Sequence, residues 1–77
     1  MTLDYWKLLG RIQELGNDIS EIVGRYTKAK VWHQAHGIPS EDYIQKTARS
    51  LAEHVAHMED LKRAVKKMED DARGGKK

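Results

Sequence analysis

A turn signal at residues 37–40 constrains most strongly what this chain can fold into. Gly37 can adopt the left-handed backbone that ends a helix, and Pro39 cannot continue one. Ser40 can cap the start of a following helix, and the two acidic residues after it would place negative charge on the first turn, where the helix dipole favours it. No other part of the chain has a comparable signal. The sequence therefore predicts two helices joined by a short turn.

Apolar residues on both sides of the turn recur every three or four positions, which is the spacing of a heptad seam. The predicted seam consists of Tyr5, Leu8, Ile12, Leu15, Ile19, Ile22, Tyr26 and Ala29, and then Ile44, Thr47, Leu51, His54, Met58, Leu61, Val65 and Met68. The predicted core consists of Ile12, Leu15, Ile19, Ile22, Leu51, Val55, Met58 and Leu61. We predict an all-α fold, a coiled-coil-like antiparallel hairpin with helices at about 3–36 and 40–72. It would form one domain over residues 1–72, followed by a flexible basic tail at 73–77.

An alternative is a three-helix bundle in which the first helix breaks near Gly16–Asp18. Gly16 and Asn17 can end a helix, and Asp18 followed by Glu21 can begin another one with a capping box. The heptad phase nevertheless runs through Gly16 without a skip. A continuous helix is therefore the preferred prediction.

One hairpin of this size cannot cover its own apolar surface on all sides. Further apolar residues lie beside the seam, namely Leu9, Val23, Ala48 and Val55, and an alanine row follows at Ala48, Ala52 and Ala56. The g positions alternate in charge and can select the register of a partner helix: Asp4, Arg11, Asp18 and Arg25. We predict a homodimer packed as a four-helix bundle, with an obligate complex with a different protein as the alternative.

The histidines form two i,i+3 pairs, His33 with His36 and His54 with His57. Each pair shares a helix face and can begin a metal site. The pairs do not meet within one antiparallel hairpin, and the chain has no cysteine. We therefore predict no metal and no cofactor, and leave metal binding by these pairs as an open question. His54 is interpreted as a polar seam residue, and His36 as a group that helps to cap the first helix.

Composition and charge weigh against several classes of function. A thin pair of helices encloses no pocket, so we expect no enzyme. The formal net charge is only +2, with acids and bases interleaved, so the long-range field is weak. The absence of cysteine, of a leader pattern and of a run of about 20 apolar residues leads us to expect a cytoplasmic protein with no membrane contact.

Aromatic residues outside the seam are the best candidates for partner binding. Trp32 lies with Val31, Ile38 and Tyr43 around the predicted hairpin tip, and Trp6 lies at the open end. Exposed Trp and Tyr clusters are where binding energy tends to concentrate. The alternative is that these side chains only stabilise the turn by packing against each other, or pack in a dimer.

Basic residues near the open end give a second hypothesis, nucleic-acid binding. They are Lys62, Arg63, Lys66, Lys67, Arg73, Lys76 and Lys77. Such a cluster can contact a phosphate backbone. The same segment, however, contains five acids and no aromatic residue that could stack on unpaired bases.

In topology, a short helical hairpin with a turn such as Gly37–Pro39 resembles the dimeric RNA-binding regulator of plasmid copy number and the small hairpin co-chaperones of type III secretion. In size and charge the chain is similar to small phage-encoded inhibitors of host complexes. These resemblances imply a fold and a class of function, and they assign no functional residue to a position of this chain. The expected function is that of a non-enzymatic adaptor, co-chaperone or inhibitor that acts through protein–protein contacts. The alternative is a nucleic-acid-binding regulator.

Overall fold

The computed structural model describes residues 3–74 and shows two long helices side by side. Helix α1 spans Leu3–His36 (34 residues) and helix α2 spans Glu41–Ala72 (32 residues). They run in opposite directions, because the hydroxyl of Tyr5 in the first turns of α1 lies 2.7 Å from the carboxylate of Glu69 near the end of α2. The predicted all-α antiparallel hairpin is confirmed.

Helix α1 continues through Gly16 without interruption, so the three-helix alternative is wrong. Gly16 is half-buried against α2, and a Cβ added there would lie 3.5 Å from Cε of Met58, an ordinary van der Waals distance. A glycine inside a helix costs about 1 kcal/mol relative to alanine. The apolar contacts of the seam on both sides of Gly16 offset that cost, because a break would remove the neighbouring turns from α2.

The turn between the helices uses the residues that the sequence indicated. Gly37 has φ +75°, and its N–H donates to the carbonyl of His33 over 2.8 Å, which satisfies one of the last carbonyls of α1. Ser40 has the extended backbone of an N-cap, and its hydroxyl oxygen accepts the N–H of Tyr43 over 3.2 Å. Helix α2 accordingly begins one residue after Ser40.

Every predicted seam residue is buried or half-buried, and the four buried ones are Ile22, Ala29, Ile44 and Val65. Val55, predicted for the core, is 42% exposed, so that prediction is wrong. Val55 occupies the heptad e position, beside the seam, and α1 alone does not reach across to cover it. The rest of the predicted core is buried at Ile22 and half-buried elsewhere.

The hairpin is elongated and one helix thick. Its extents are 58 × 20 × 13 Å, and its radius of gyration is 17.5 Å, whereas a compact domain of this length has about 11–12 Å. It exposes 5841 Å² of surface, and a globular protein of the same mass exposes about 4800 Å². The excess arises because each helix has one neighbour, so the sides of the seam stay open to solvent. Neither described helix is long and apolar enough to cross a membrane.

Candidate protein-interaction site

The two broad sides of the hairpin differ in chemistry. In an antiparallel heptad pair, the e positions of both helices flank the seam on one side and the g positions flank it on the other. The structure agrees with this, since the g residues Arg11, Asp18 and His57 line one shallow groove together. We call the g side the charged face, after its residues Asp4, Arg11, Asp18 and Arg25 on α1, which His57 of α2 joins. We call the other side the uncharged face, after its residues Leu9, Gly16, Val23, Ala48 and Val55, with Ala52 at its edge; the remaining e positions of this side, nearer the two ends of the hairpin, are charged: Lys30, Lys62 and Glu69.

An apolar cluster of Trp32, Ile38, Pro39 and Tyr43 lies at the hairpin tip, and we call it the tip patch. Trp32, Ile38 and Pro39 line one open groove, and Trp32, Pro39 and Tyr43 line a second groove of about 280 Å³. Trp32 is 50% exposed, Ile38 66% and Tyr43 43%. The structure therefore brings together on one surface three of the residues predicted to bind a partner, which we call the predicted anchors.

Two basic residues border the tip patch on the α1 side. Arg25 and Lys28 line the same groove as Trp32 and Tyr43, with Ala29 from the seam. Arg25 is also 3.4 Å from the carboxylate of Glu21, one helical turn away. The groove thus combines an apolar lining with positive charge along one edge.

Pro39 contributes to the tip patch, although the sequence indicates only its role in ending a helix. Its ring lines both grooves, and a cis peptide bond joins it to Ile38. Its position between an apolar residue and an N-cap was the available signal, because a turn residue at a hairpin tip has no helix to cover it.

His33 links the end of α1 to the segment that begins α2. Its Nδ1 lies 2.7 Å from the carbonyl oxygen of Pro39, and because a carbonyl can only accept, Nδ1 carries the proton and donates. Its Nε2 lies 3.5 Å from the Glu41 carboxylate. His33 therefore holds the turn closed beneath the tip patch.

His36 does not cap α1 as predicted. Its ring stacks instead on Trp32, with ring centroids 4.6 Å apart and an interplanar angle of 33°. The spacing of four residues places the two rings on one helix face, and this contact orients Trp32 from one side. Capping comes instead from the backbone of Gly37.

The second histidine pair also has a structural explanation. His54 is half-buried in the seam, and its Nδ1 donates to the carbonyl of Ser50 over 2.7 Å, which satisfies the polar atom within its own helix. His57 lies on the charged face beside Leu15 and Leu61. Within residues 3–74, no three His, Cys, Asp or Glu side chains come together as a metal-binding group.

Two predicted anchors lie away from the tip patch. Val31 is exposed on α1 but lines neither tip groove. Trp6 is exposed near the open end, where its ring packs edge-on against Tyr5 with centroids 5.3 Å apart. Its heptad position b borders the uncharged face, whereas Trp32 at g borders the charged face. The two tryptophans thus belong to opposite sides of the hairpin.

The open end carries a cross-helix hydrogen bond that the sequence did not indicate. The Tyr5 hydroxyl donates to the Glu69 carboxylate over 2.7 Å. This bond raises the pKa of the Tyr5 phenol above its ordinary value, and partial desolvation and the negative charge of Glu69 act in the same direction. The bond fixes the register of the two helices at the end opposite the turn.

The basic residues of the open end are exposed, but part of their charge is already paired. Arg63 pairs with Asp60, and Arg73 lies 2.9 Å from the carboxylate of Asp70. Lys62, Lys66 and Lys67 are exposed on the same helix. Lys76 and Lys77 lie outside the described residues, as does most of the predicted tail at 73–77. The described part of the cluster is therefore a mixed-charge surface.

Comparison with known protein families, with curated proteins and with solved structures gives no match for this chain. Three surfaces of the hairpin can bind a partner: the tip patch, the uncharged face and the mixed-charge open end.

Proposed function

We propose that this chain is a non-enzymatic protein that acts through protein–protein contacts, as an adaptor, co-chaperone or inhibitor of a larger complex. The observation that carries the proposal is the tip patch, where Trp32, Ile38 and Tyr43 are each exposed by 43% or more at the end of a long hairpin. Aromatic side chains of this kind supply the anchors of most protein interfaces.

The exposure of Trp32 gives the size of the expected contribution. A Trp side chain can bury up to about 250 Å², so half-exposure leaves at most roughly 125 Å² for a partner to cover, worth up to about 3 kcal/mol. The ring is already oriented by His36 and by the turn that His33 holds, so little side-chain entropy is lost on binding. Truncation of Trp32 should therefore cost about 2 kcal/mol of affinity.

Self-association is part of the same proposal. A hairpin one helix thick leaves the sides of its seam in water, and stacking two hairpins into a four-helix bundle covers one side of each. The proposal places this homodimer in the cytoplasm, since a cysteine-free chain suits a reducing compartment. The tip patch would then be presented to a different protein by the dimer.

The test is an affinity pull-down from the source cell with mass spectrometry, comparing the wild type with Trp32→Ala. Val31→Ala is the matched control, because Val31 is an exposed apolar residue of the same helix that lines neither tip groove. We expect Trp32→Ala to weaken binding of the retrieved protein about 30-fold, the equivalent of about 2 kcal/mol, and Val31→Ala to leave it within about twofold.

Two results would contradict the proposal. Equal recovery of the same proteins by the wild type and by Trp32→Ala would show that the tip patch is structural. Recovery of nucleic acid without protein, with salt-sensitive binding that Lys62→Glu weakens, would assign the function to the basic open end instead.

A further inference from the structure

The uncharged face has the composition of a buried helix–helix contact, although it is open in the single hairpin. Val23 and Val55 are both well exposed there, while Gly16 and Ala48 beside them are half-buried. The positions that border the face in its central part are also uncharged: Gln13, Ser20 and Thr27 on α1, and Gln45 and Ala52 on α2. Charged residues lie on the same side outside this central part, at Lys30 towards the tip and at Glu59, Lys62, Lys66 and Glu69 towards the open end.

The charged face is a poor candidate for the same contact. Its g positions alternate between acid and base along α1, and Arg25 already pairs with Glu21 of the same helix. Burying such groups costs desolvation free energy that imperfect pairing does not recover. Covering the uncharged face removes valine side chains from water and desolvates no charge in its central part.

We propose that the uncharged face is the docking site of a second copy of this chain, so that two hairpins stack across a two-fold axis as a four-helix bundle. This inference rests on the homodimer in the proposed function and specifies its interface. The tip patch borders the charged face and remains available to a different protein in this arrangement.

The dimensions of the hairpin match this occupant. One whole broad side of the hairpin, 58 by 20 Å, offers roughly 1,100 Å² to a partner, and a stable interface needs about 800 Å² from each side. The uncharged residues lie at the centre of this area and the charged ones lie towards its ends, which is the arrangement of an apolar interface core with a polar rim. A second hairpin of the same length can cover such a face from end to end. The resulting four-helix arrangement also places Val23 and Val55 in a core with neighbours on both sides.

Self-complementarity favours a second copy over an unrelated helix. A two-fold interface pairs one patch with itself, so a patch of a single charge would repel its own copy. The central part of the uncharged face carries no charge, and the charged residues towards its ends are of both signs, so the face avoids that repulsion. It also carries both bulky residues, Leu9, Val23 and Val55, and small ones, Gly16 and Ala52, so that projections from one copy can enter depressions on the other.

The experiment compares three Val→Glu substitutions by sedimentation equilibrium of the full chain at micromolar concentration. Val23→Glu and Val55→Glu place a charge on the uncharged face, and Val31→Glu makes the same change on the outer side of α1. We expect a wild-type mass of twice 8.9 kDa, a dimer dissociation constant raised more than about 100-fold by either face variant, and no change for Val31→Glu.

A second measurement does not depend on how well the charged variants fold. The chain has no cysteine, so Ala52→Cys and Val31→Cys each provide a single position for a spin label. Pulsed electron–electron double resonance measures the distance between the labels on the two copies. It should give a short distance for labels at position 52, across the interface, and a longer one for labels at position 31. A longer distance at position 52 than at position 31 would overturn the assignment of the face.

The outcomes separate this inference from the proposed function. A wild-type monomer at micromolar concentration, or a dimer that Val31→Glu disrupts and Val55→Glu does not, would overturn the interface while leaving the tip patch as a binding site. Loss of the dimer in Trp32→Ala would show instead that the tip patch is a dimer contact, which contradicts the proposed function.

Discussion

Two glycines on the outer side of α1 provide a quantitative test of the fold. Gly10 and Gly24 both occupy the heptad f position, the side away from α2, and a Cβ added at either meets nothing within 4 Å. Substitution by alanine therefore changes helix propensity and unfolded-state entropy without changing packing. We expect Gly10→Ala and Gly24→Ala each to raise the free energy of unfolding by about 1 kcal/mol.

The two effects should add, because the residues are about 21 Å apart along the helix and share no contacts. The double variant should gain about 2 kcal/mol, which corresponds to a rise in Tm of about 8–16 °C for a domain of this size. Thermal unfolding followed by circular dichroism measures this, with all variants at one protein concentration because self-association stabilises the folded state.

Gly37→Ala is the matched control with the opposite expectation. Gly37 also has open space around its Cα, but its φ of +75° is a left-handed conformation that costs an alanine about 1–2 kcal/mol. It should therefore lower Tm although no clash occurs. If Gly10→Ala and Gly24→Ala lowered Tm as well, those residues would not lie on the exposed side of a continuous helix, and the assignment of faces would be wrong.

Two further predictions concern the ends of the hairpin. The raised pKa of Tyr5 means that the folded state holds the phenolic proton more tightly than the unfolded state does. The stabilisation that the protonated Tyr5 side chain contributes is therefore complete below about pH 10, and it is lost as the pH rises through the pKa of the folded state. Above pH 10 the wild type should therefore lose more free energy of unfolding, measured with urea, than Tyr5→Phe does. An equal dependence of the two free energies on pH would contradict this. His33→Ala should lower the free energy of unfolding by about 1 kcal/mol by removing the bond to Pro39, and His33→Asn, which keeps a donor near that position, should lower it less.

The helices and the turn could be predicted from the sequence because their signals are local. Gly37 and Ser40 specify a helix end and a helix start through their own backbone and side-chain chemistry. The continuity of α1 through Gly16 was also readable, since the heptad phase on both sides requires one unbroken face towards α2. These features depend on neighbours within a few residues of each other.

The details of the tip and of the open end could not be predicted, because they depend on where distant residues come to lie. Heptad spacing alone does not say that Tyr5 contacts Glu69, or that His33 rather than His36 contacts Pro39 in the turn. The exposure of Val55 has a related cause. Its position beside the seam predicts burial only if a further helix covers it, and one hairpin does not supply that helix.

Molar mass measured during dilution tests the central claim most directly, namely that one hairpin is an incomplete structure that needs a second copy. Light scattering should give twice 8.9 kDa at micromolar concentration, and circular dichroism should show helix loss and a falling melting temperature over the concentration range in which the mass halves. A compact monomer of 8.9 kDa that melts cooperatively at a temperature independent of concentration would contradict the account.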